Sequence, residues 1–389
     1  MEISEVVVDE FTYRLEDVGT DRGRQVYEPG TTAEPPGFVL TIRTTDGEEG
    51  HYRGFMFVPP MVAQVEMAAS EFLLGRDPLE REAIWGDLWT AFRTTDHLGV
   101  GPIDIALWDL AGTHYGASVS ELLGGYRDRV PAYASTYMAD RQPDGLNSPE
   151  SYVAFGEDCR DRGYPAYKMH PTGDPDRDAE ICGAVGEALG DDMELMLDPA
   201  NEYDTYSGAL AVGRVLDEHG YFFYEDPMAD AGESLHMARR LAGQLDTPLL
   251  GLEHSRTGPY GFANYVSEDV FEYVRGDTHC NGGITGAMKT AHLAESFGVD
   301  IEFHVGGPSH LHCMSAIRNT NYFEKGLLHP ETEWMADQGF THDVEAVDGD
   351  GHVSVPDGPG LGVEIDWDLV ERRRTDRTVI DRTGASGLA

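Results

Sequence analysis

Three acids in this chain each close a short apolar run, at a nearly constant interval. Met193-Glu194-Leu195-Met196-Leu197 leads into Asp198, Tyr221-Phe222-Phe223-Tyr224 into Glu225, and Pro248-Leu249-Leu250-Gly251-Leu252 into Glu253, spaced 27 and 28 residues apart. That interval is the length of one strand–helix unit, so three successive strands each finish in a carboxylate. A carboxylate emerging from a buried strand is costly without a partner. Three such groups converging from adjacent strands suit one hard, oxygen-seeking cation: Mg²⁺ with retained waters, with Mn²⁺ accepted by the same oxygens. Any one of them alone reads equally well as a solvated acid; three in consecutive strands do not.

Further strand ends carry the residues for proton transfer. In Ala166-Tyr167-Lys168-Met169-His170, alternation puts Lys168 and His170 on one face. Nearby cations would draw the lysine pKa down towards general-base range, with carboxylates opposing. Asp277 and His304 end two later runs, and a carboxylate beside a histidine fixes its tautomer and supports the imidazolium, which makes a proton shuttle. Glu324 closes a run at 321–324; kept protonated by burial, it would donate a hydrogen bond to a substrate oxygen. His254, His279, Asn281 and His310 read as polar groups crowding the same mouth, which suits a polyhydroxylated substrate. Arg24, Arg53 and Asn201 are candidate substrate contacts.

These residues need a scaffold that delivers strand ends to one place. Candidate strands at 130–135, 165–169, 193–198, 221–226, 248–253, 271–277, 299–304 and 321–324 alternate with helical stretches such as 176–189, 205–219, 232–244 and 284–297. The rhythm predicts an α/β fold, a modified TIM (β/α)7β barrel lacking its last helix, with active groups at the C-terminal strand ends. Residues 1–125 read as an α+β capping domain, with strands near Val6 and Phe38–Ile42, a long loop from Asp17 to Pro36, and helices from Pro60 to Leu123. The barrel takes 126–330, and 331–389 is expected to pack back on the capping domain.

Composition narrows the partners. Lys+Arg 28 against Asp+Glu 70 gives a net charge of −42, which disfavours nucleic acid and acidic membrane surfaces. Lys168, Lys289 and Lys325 are the only lysines. An acid-rich, lysine-poor chain is what a protein bathed in molar salt needs, so the composition points to a halophile. Scarcity also makes a specific task for each lysine more plausible than usual. Cys159, Cys182, Cys280 and Cys313 show no paired spacing and read as reduced core residues. An acidic N-terminus and the lack of a long apolar run predict a cytoplasmic protein. There is no P-loop or dinucleotide fingerprint.

Taken together, the chain resembles the enolase superfamily, in its mandelate racemase/muconate lactonizing enzyme family and the mandelate racemase-like branch of it. The resemblance rests on Gly101-Pro102-Ile103-Asp104-Ile105-Ala106-Leu107-Trp108-Asp109-Leu110 and on Asp277-Thr278-His279-Cys280-Asn281-Gly282-Gly283-Ile284-Thr285-Gly286, with His304 27 residues after Asp277 and Glu324 20 after that. It implies Asp198, Glu225 and Glu253 as Mg²⁺ ligands, Asp277–His304 as the acid/base dyad, Lys168 against the substrate carboxylate, and Glu324 as an electrophilic helper. The shared step is removal of the proton α to a carboxylate. Two departures stand out: Lys168-Met169-His170 replaces the family's Lys-x-Lys, and Asn201 lies three residues after Asp198 where the family often has Asn at two. Asp277 in place of the lysine of muconate-lactonizing relatives weighs against a cycloisomerase of that type.

The resemblance leaves an acid-sugar (aldonate or aldarate) dehydratase as the leading expectation and a racemase or epimerase of a 2-hydroxy carboxylate as its alternative. A non-catalytic metal-binding scaffold is the reading from a different class. A small carboxylate substrate and a homo-oligomer, dimer or octamer, are implied with them.

Overall fold

The computed structural model describes residues 1–16, 32–139, 145–230, 232–253, 255–330, 332–333 and 339–382. Eight parallel strands curl into a barrel: Arg129–Met138, Ala166–His170, Glu194–Leu197, Phe223–Glu225, Leu249–Gly251, Tyr273–Gly276, Asp300–Phe303 and Phe323–His329. Each of the first six pairs with the next, and the eighth pairs with the first, Glu324 opposite Tyr133. The seam between the seventh and eighth is bridged by Asn321, whose amide nitrogen donates to Asp300 (2.9 Å) and Glu302 (2.7 Å).

Helices Pro149–Asp161, Pro175–Leu189, Tyr206–His219, Leu235–Ala242, Gly258–Val266, Gly283–Phe297 and Pro308–Ala316 follow the first seven strands. Among the described residues the next helix, Trp367–Arg373, lies well beyond the eighth strand, so the architecture is (β/α)7β. Ser148, Asp174, Thr205 and Ser234 cap four of the helix starts with their side chains, each contributing about 1 kcal/mol.

Strand alternation builds the site's floor. Tyr133, Ala166, Met196, Phe223 and Leu250, one from each of the first five strands, pack together as an apolar layer. Two residues further along, and so on the same face, come Ser135, Lys168, Asp198 and Glu225. An apolar plug is thus followed directly by a polar layer. The eighth strand differs from expectation. Glu324 is its second residue rather than its end, because Leu327 and Leu328 continue the ladder along the ten-residue first strand, with Leu328 opposite Thr136.

The capping sheet is antiparallel, in the order Arg374–Asp381, Ile3–Thr12, Pro36–Thr44, Glu49–Gly54, so a C-terminal strand completes a sheet begun at the N-terminus. Phe38, Leu40 and Ile42 enter the main core, while Val39, on the other face, packs with Phe11, Tyr137, Ile365 and Val370. Of the expected Asp17–Pro36 loop, 17–31 lie outside the described residues, and Thr32–Ala33 pairs with Leu15–Glu16 as a short ladder. Helix Val100–Tyr115 ties cap, barrel and returning segment together through two buried acids. Asp104 accepts from Thr285 N (2.8 Å), and Asp109 accepts from His51 N and Leu361 N (both 2.7 Å). All four cysteines are buried and free.

Candidate active site

The strand ends deliver the expected acids to one place. One carboxylate oxygen from each of Asp198, Glu225 and Glu253 can be chosen such that all lie within 4.8 Å of one another. Such an all-oxygen set fits a hard divalent cation. The exits bend sharply to achieve it: Ala200 (φ 51°), Asn201 (61°), Asp226 (29°) and Leu252 (77°) all occupy left-handed backbone conformations. Non-glycine residues there cost on the order of 1–3 kcal/mol each, strain that accumulates at functional sites. Asp226 holds Glu253 in place, accepting from Leu252 N (3.2 Å) and Glu253 N (3.1 Å).

Lys168 lies at the centre of the polar layer, its Nζ 3.2 Å from Asp198, 2.9 Å from Glu225 and 2.8 Å from Glu324. Burial lowers its pKa, but the facing carboxylates Glu225 and Glu324 outweigh burial and hold it well above the usual lysine value. The facing carboxylates thus oppose the expected drift towards a general base. Glu324 also departs from expectation. Burial raises its pKa, yet Lys168 and Arg275 together pull it well below the carboxylate range, so it is ionised rather than a proton donor. Ser135 donates to it at 2.8 Å.

His170 sits beside Lys168 as alternation required, with Nε2 3.0 Å from Asp198 and Nδ1 2.8 Å from the Thr136 carbonyl. Both ring nitrogens face acceptors in the barrel wall. His304 has Nδ1 3.1 Å from Asp277 and Nε2 3.1 Å from Glu253. Burial opposes its protonation, but Glu253 and Asp277 prevail and push its pKa up to about 9. Burial would also raise Asp277, but its hydrogen bond with His304 and the neighbouring His310 and His279 rings hold it well below the usual range.

Sequence reasoning missed one central residue. Arg275 is fully buried and grips Glu225 with both Nε (2.6 Å) and Nη2, while Nη1 donates to Tyr133 Oη (3.2 Å) and the Phe303 carbonyl (3.1 Å). Its signal was legible, since a cation two residues before Asp277 must share that residue's face.

Other expected mouth residues lie behind the site. His279 and Asn281 are buried because the loop after the sixth strand wraps inward around Asp277, which accepts from His279 N (2.6 Å) and Cys280 N (3.0 Å), and His310 is buried on the helix Pro308–Ala316 packed behind that loop. Asp277, His279 and His310 form a second cluster of potential ligand atoms. Three of the four histidine ring nitrogens are already engaged, however, His310 Nδ1 being the exception. His279 meets Tyr52 Oη (2.9 Å) and the Gly306 carbonyl (3.1 Å), and His310 Nε2 accepts from Thr278 N (2.9 Å). The cluster braces the His304 dyad instead. His254 and Arg24 lie outside the described residues. Asn201 is on the turn after Asp198, with neither side-chain amide atom partnered among the described residues.

Comparison with known proteins agrees with this geometry. Residues 21–124 match the mandelate racemase/muconate lactonizing enzyme N-terminal domain, and residues 152–369 match the family described as enolase C-terminal domain-like. The chain belongs to the mandelate racemase/muconate lactonizing enzyme family of the enolase superfamily. Among members of that family, D-galactarolactone cycloisomerase of Agrobacterium fabrum is 34% identical, over 87% of this chain and 91% of that protein. Arabinonate dehydratase of Saccharolobus solfataricus is 28% identical, over 92% and 97%. The crystal structure of a D-glucarate dehydratase from Agrobacterium tumefaciens complexed with magnesium superposes with a TM-score of 0.89 at 35% identity, covering 96% of this chain and 99% of that one. A cycloisomerase thus stands beside dehydratases among the family members, although Asp277 had weighed against one of the muconate type.

Proposed function

We propose that this protein is a Mg²⁺-dependent acid-sugar dehydratase that converts an aldonate or aldarate into a 2-keto-3-deoxy acid. One observation carries the reading: a three-carboxylate cluster stands next to a histidine braced by aspartate, at 3.1 Å on either ring nitrogen. Kinship with sugar-acid dehydratases supports it. Asp198, Glu225 and Glu253 are assigned to the metal, with Mn²⁺ as a substitute. Bound Mg²⁺ supplies positive charge to the substrate carboxylate, which acidifies the α-proton.

His304 is assigned as the base. Its side chain is 17% exposed, against 6% for His170 and 1% for Lys168, so it is the candidate that reaches an incoming substrate. Glu253, which faces Nε2 and raises the His304 pKa, is assigned to the metal; with Glu253 so engaged, Asp277 holds Nδ1 and the neutral ring can take the α-proton at Nε2. The C–H electron pair forms an enediolate and then expels the β-oxygen as its C–O bond breaks. That oxygen leaves with a proton from the His304 imidazolium when it lies on the same face, or from His170 when it lies opposite. The resulting enol takes a proton at C3 to become the keto acid. Lys168 contributes fixed positive charge towards the substrate carboxylate, Glu324 holds Lys168, and the unpartnered amide of Asn201 is available to a substrate hydroxyl.

Kinship with a cycloisomerase favours a second reading. Where the β-oxygen belongs to a lactone ring, the same elimination opens the ring and yields an isomer without losing water. The test is NMR and mass spectrometry of sugar acids and their lactones in D₂O with Mg²⁺ and molar KCl. A product lighter by one water, deuterated at C3, supports the dehydratase. An isomeric C3-deuterated product selects the cycloisomerase, and exchange at C2 with every hydroxyl retained selects an epimerase. Failure of Mg²⁺ to bind at all would sink the reading.

The proposal extends to the setting: a cap over 1–125, a barrel over 126–330, a returning segment over 331–389, and a homo-oligomer, dimer or octamer, in a halophile's cytoplasm. The net charge of −42 supports the salt adaptation. No helix among the described residues is long and apolar enough to cross a membrane.

A further inference from the structure

One peptide unit beside the dyad is held by side chains on both of its edges. His304 leaves its strand with its N–H on the Gly276 carbonyl (2.8 Å), and only Val305, Gly306 and Gly307 separate it from helix Pro308–Ala316. Gly306 and Gly307 both have positive φ, 89° and 104°, a region that glycine enters as readily as the negative one. A peptide between two such glycines turns over easily unless its partners prevent it. Here they do. The Gly306 carbonyl meets His279 Nε2 (3.1 Å), and the Gly307 N–H donates to Glu345 (2.5 Å).

The direction of each bond follows from the groups themselves. A carbonyl only accepts, so His279 Nε2 carries a hydrogen. Burial and the neighbouring His310 push the His279 pKa down to about 4, so the ring is neutral and its Nδ1 accepts from Tyr52 Oη (2.9 Å). Glu345 is held in turn. Its own N–H donates to Asp343 (2.8 Å), and Lys325 stands 3.9 Å from its carboxylate and 3.3 Å from Asp343. Arg53, read from the sequence as a substrate contact, lies beside Gly307 and Glu345 instead, where its charge favours the ionised carboxylate. Were the peptide to turn over, the Gly306 carbonyl would face the Glu345 carboxylate and the Gly307 N–H would face the His279 N–H. Acceptor would meet acceptor and donor would meet donor, with both buried hydrogen bonds lost.

The geometry points to Glu345 and His279 as positioning residues for His304: by fixing the Gly306–Gly307 peptide from opposite edges, they set the path by which the chain leaves the seventh strand and so the aim of the imidazole. This rests on His304 being the base. It gives the returning segment a part in the reaction, and it gives Lys325, one of only three lysines, the task of holding Glu345.

The test compares Glu345→Ala, which removes the acceptor for the Gly307 N–H, with Glu345→Gln, which loses the charge and keeps an acceptor oxygen. Two readouts are taken on the full chain with Mg²⁺ and molar KCl: the NMR signal of the His304 Nδ1–H, identified by its loss in His304→Asn, and α-proton exchange on sugar acids. In Glu345→Ala the signal should shift or broaden, and kcat for exchange should fall about tenfold or more at unchanged KM, because a small misplacement of the base is enough for such a loss. Glu345→Gln should keep the parent's signal and most of its rate. A residue that only stabilised the fold would lower Tm and leave signal and kcat in place; that result would overturn the inference, as would equal losses in the two variants. If Glu345→Ala does not fold, His279→Leu, which frees the opposite edge, should change the His304 signal in the same way, and an unmoved signal there would also overturn it. A parent that exchanges no α-proton would count against the reaction itself, while the His304 signal would still decide the part played by Glu345.

Discussion

Replacing Arg275 by methionine isolates the energetics of the polar layer. Arg275 and Glu225 are both fully buried, and the arginine closes a fork on Glu225 while standing 3.5 Å from Glu324. Methionine fills much of the same volume but leaves Lys168 as the cation against Asp198, Glu225 and Glu324. Breaking a buried ion pair by removing one partner costs about 3–5 kcal/mol. With an unfolding entropy of about 2.1 cal/mol/K per residue, a chain of this length loses about 4–6 °C in Tm. The assay is scanning calorimetry of Arg275→Met beside the parent, first in EDTA and then with saturating Mg²⁺. The deficit should be largest in EDTA and shrink with Mg²⁺, which gives Glu225 another positive partner. Adding Glu225→Gln to Arg275→Met should recover at least half of the loss in EDTA, because neither charge is then left buried alone. If Arg275→Met melts with the parent in EDTA, or the two substitutions simply add, Arg275 is not the counter-charge of Glu225 and the reasoning fails.

Three other outcomes follow from the geometry. His304→Asn should lower α-proton exchange and product formation together by about 10²–10⁴-fold while keeping the Mg²⁺-dependent rise in Tm; loss of that rise would mean His304 supports the metal site rather than the proton transfer. Burial pushes Glu302, at the seam, up to about 7 from its ordinary 4.5. The folded chain then holds a proton that the unfolded chain releases, so this contribution of about 3 kcal/mol is full below pH 4.5 and lost as pH rises through 7. Urea denaturation across that window should be flatter in Glu302→Gln, and an unchanged slope would contradict the assignment. Asp109→Ala leaves the His51 and Leu361 N–H groups without their acceptor and should destabilise by about 2–4 kcal/mol, read as a lower denaturation midpoint.

Much of the site could be read in one dimension because strand geometry is local. A period of two and an apolar run were enough to place Lys168 with His170 and to put Asp198, Glu225, Asp277 and His304 at strand ends. The same rule could have found Arg275 two residues before Asp277. The error at Glu324 was of another kind: the strand went on past it because its pairing partner, the first strand, is long, and no local signal reports a partner's length. His279 and Asn281 were misplaced for a related reason, since a loop that folds inward has the same polar composition as one that lines a mouth, and His310 lies on the buried side of the helix Pro308–Ala316.

The sequence by itself determined the inventory and its order: acids at the ends of successive strands, a dyad after them, and a lysine scarce enough to notice. Only the tertiary structure decided charge states and vacancies. Lys168 and Glu324 face one another across 2.8 Å, Arg275 neutralises Glu225 from 50 residues away, and Arg53 is buried with Nε and Nη2 unpartnered among the described residues. Burial and Coulomb interactions depend on distances through space, and a chain's spacing along itself does not contain them until it folds.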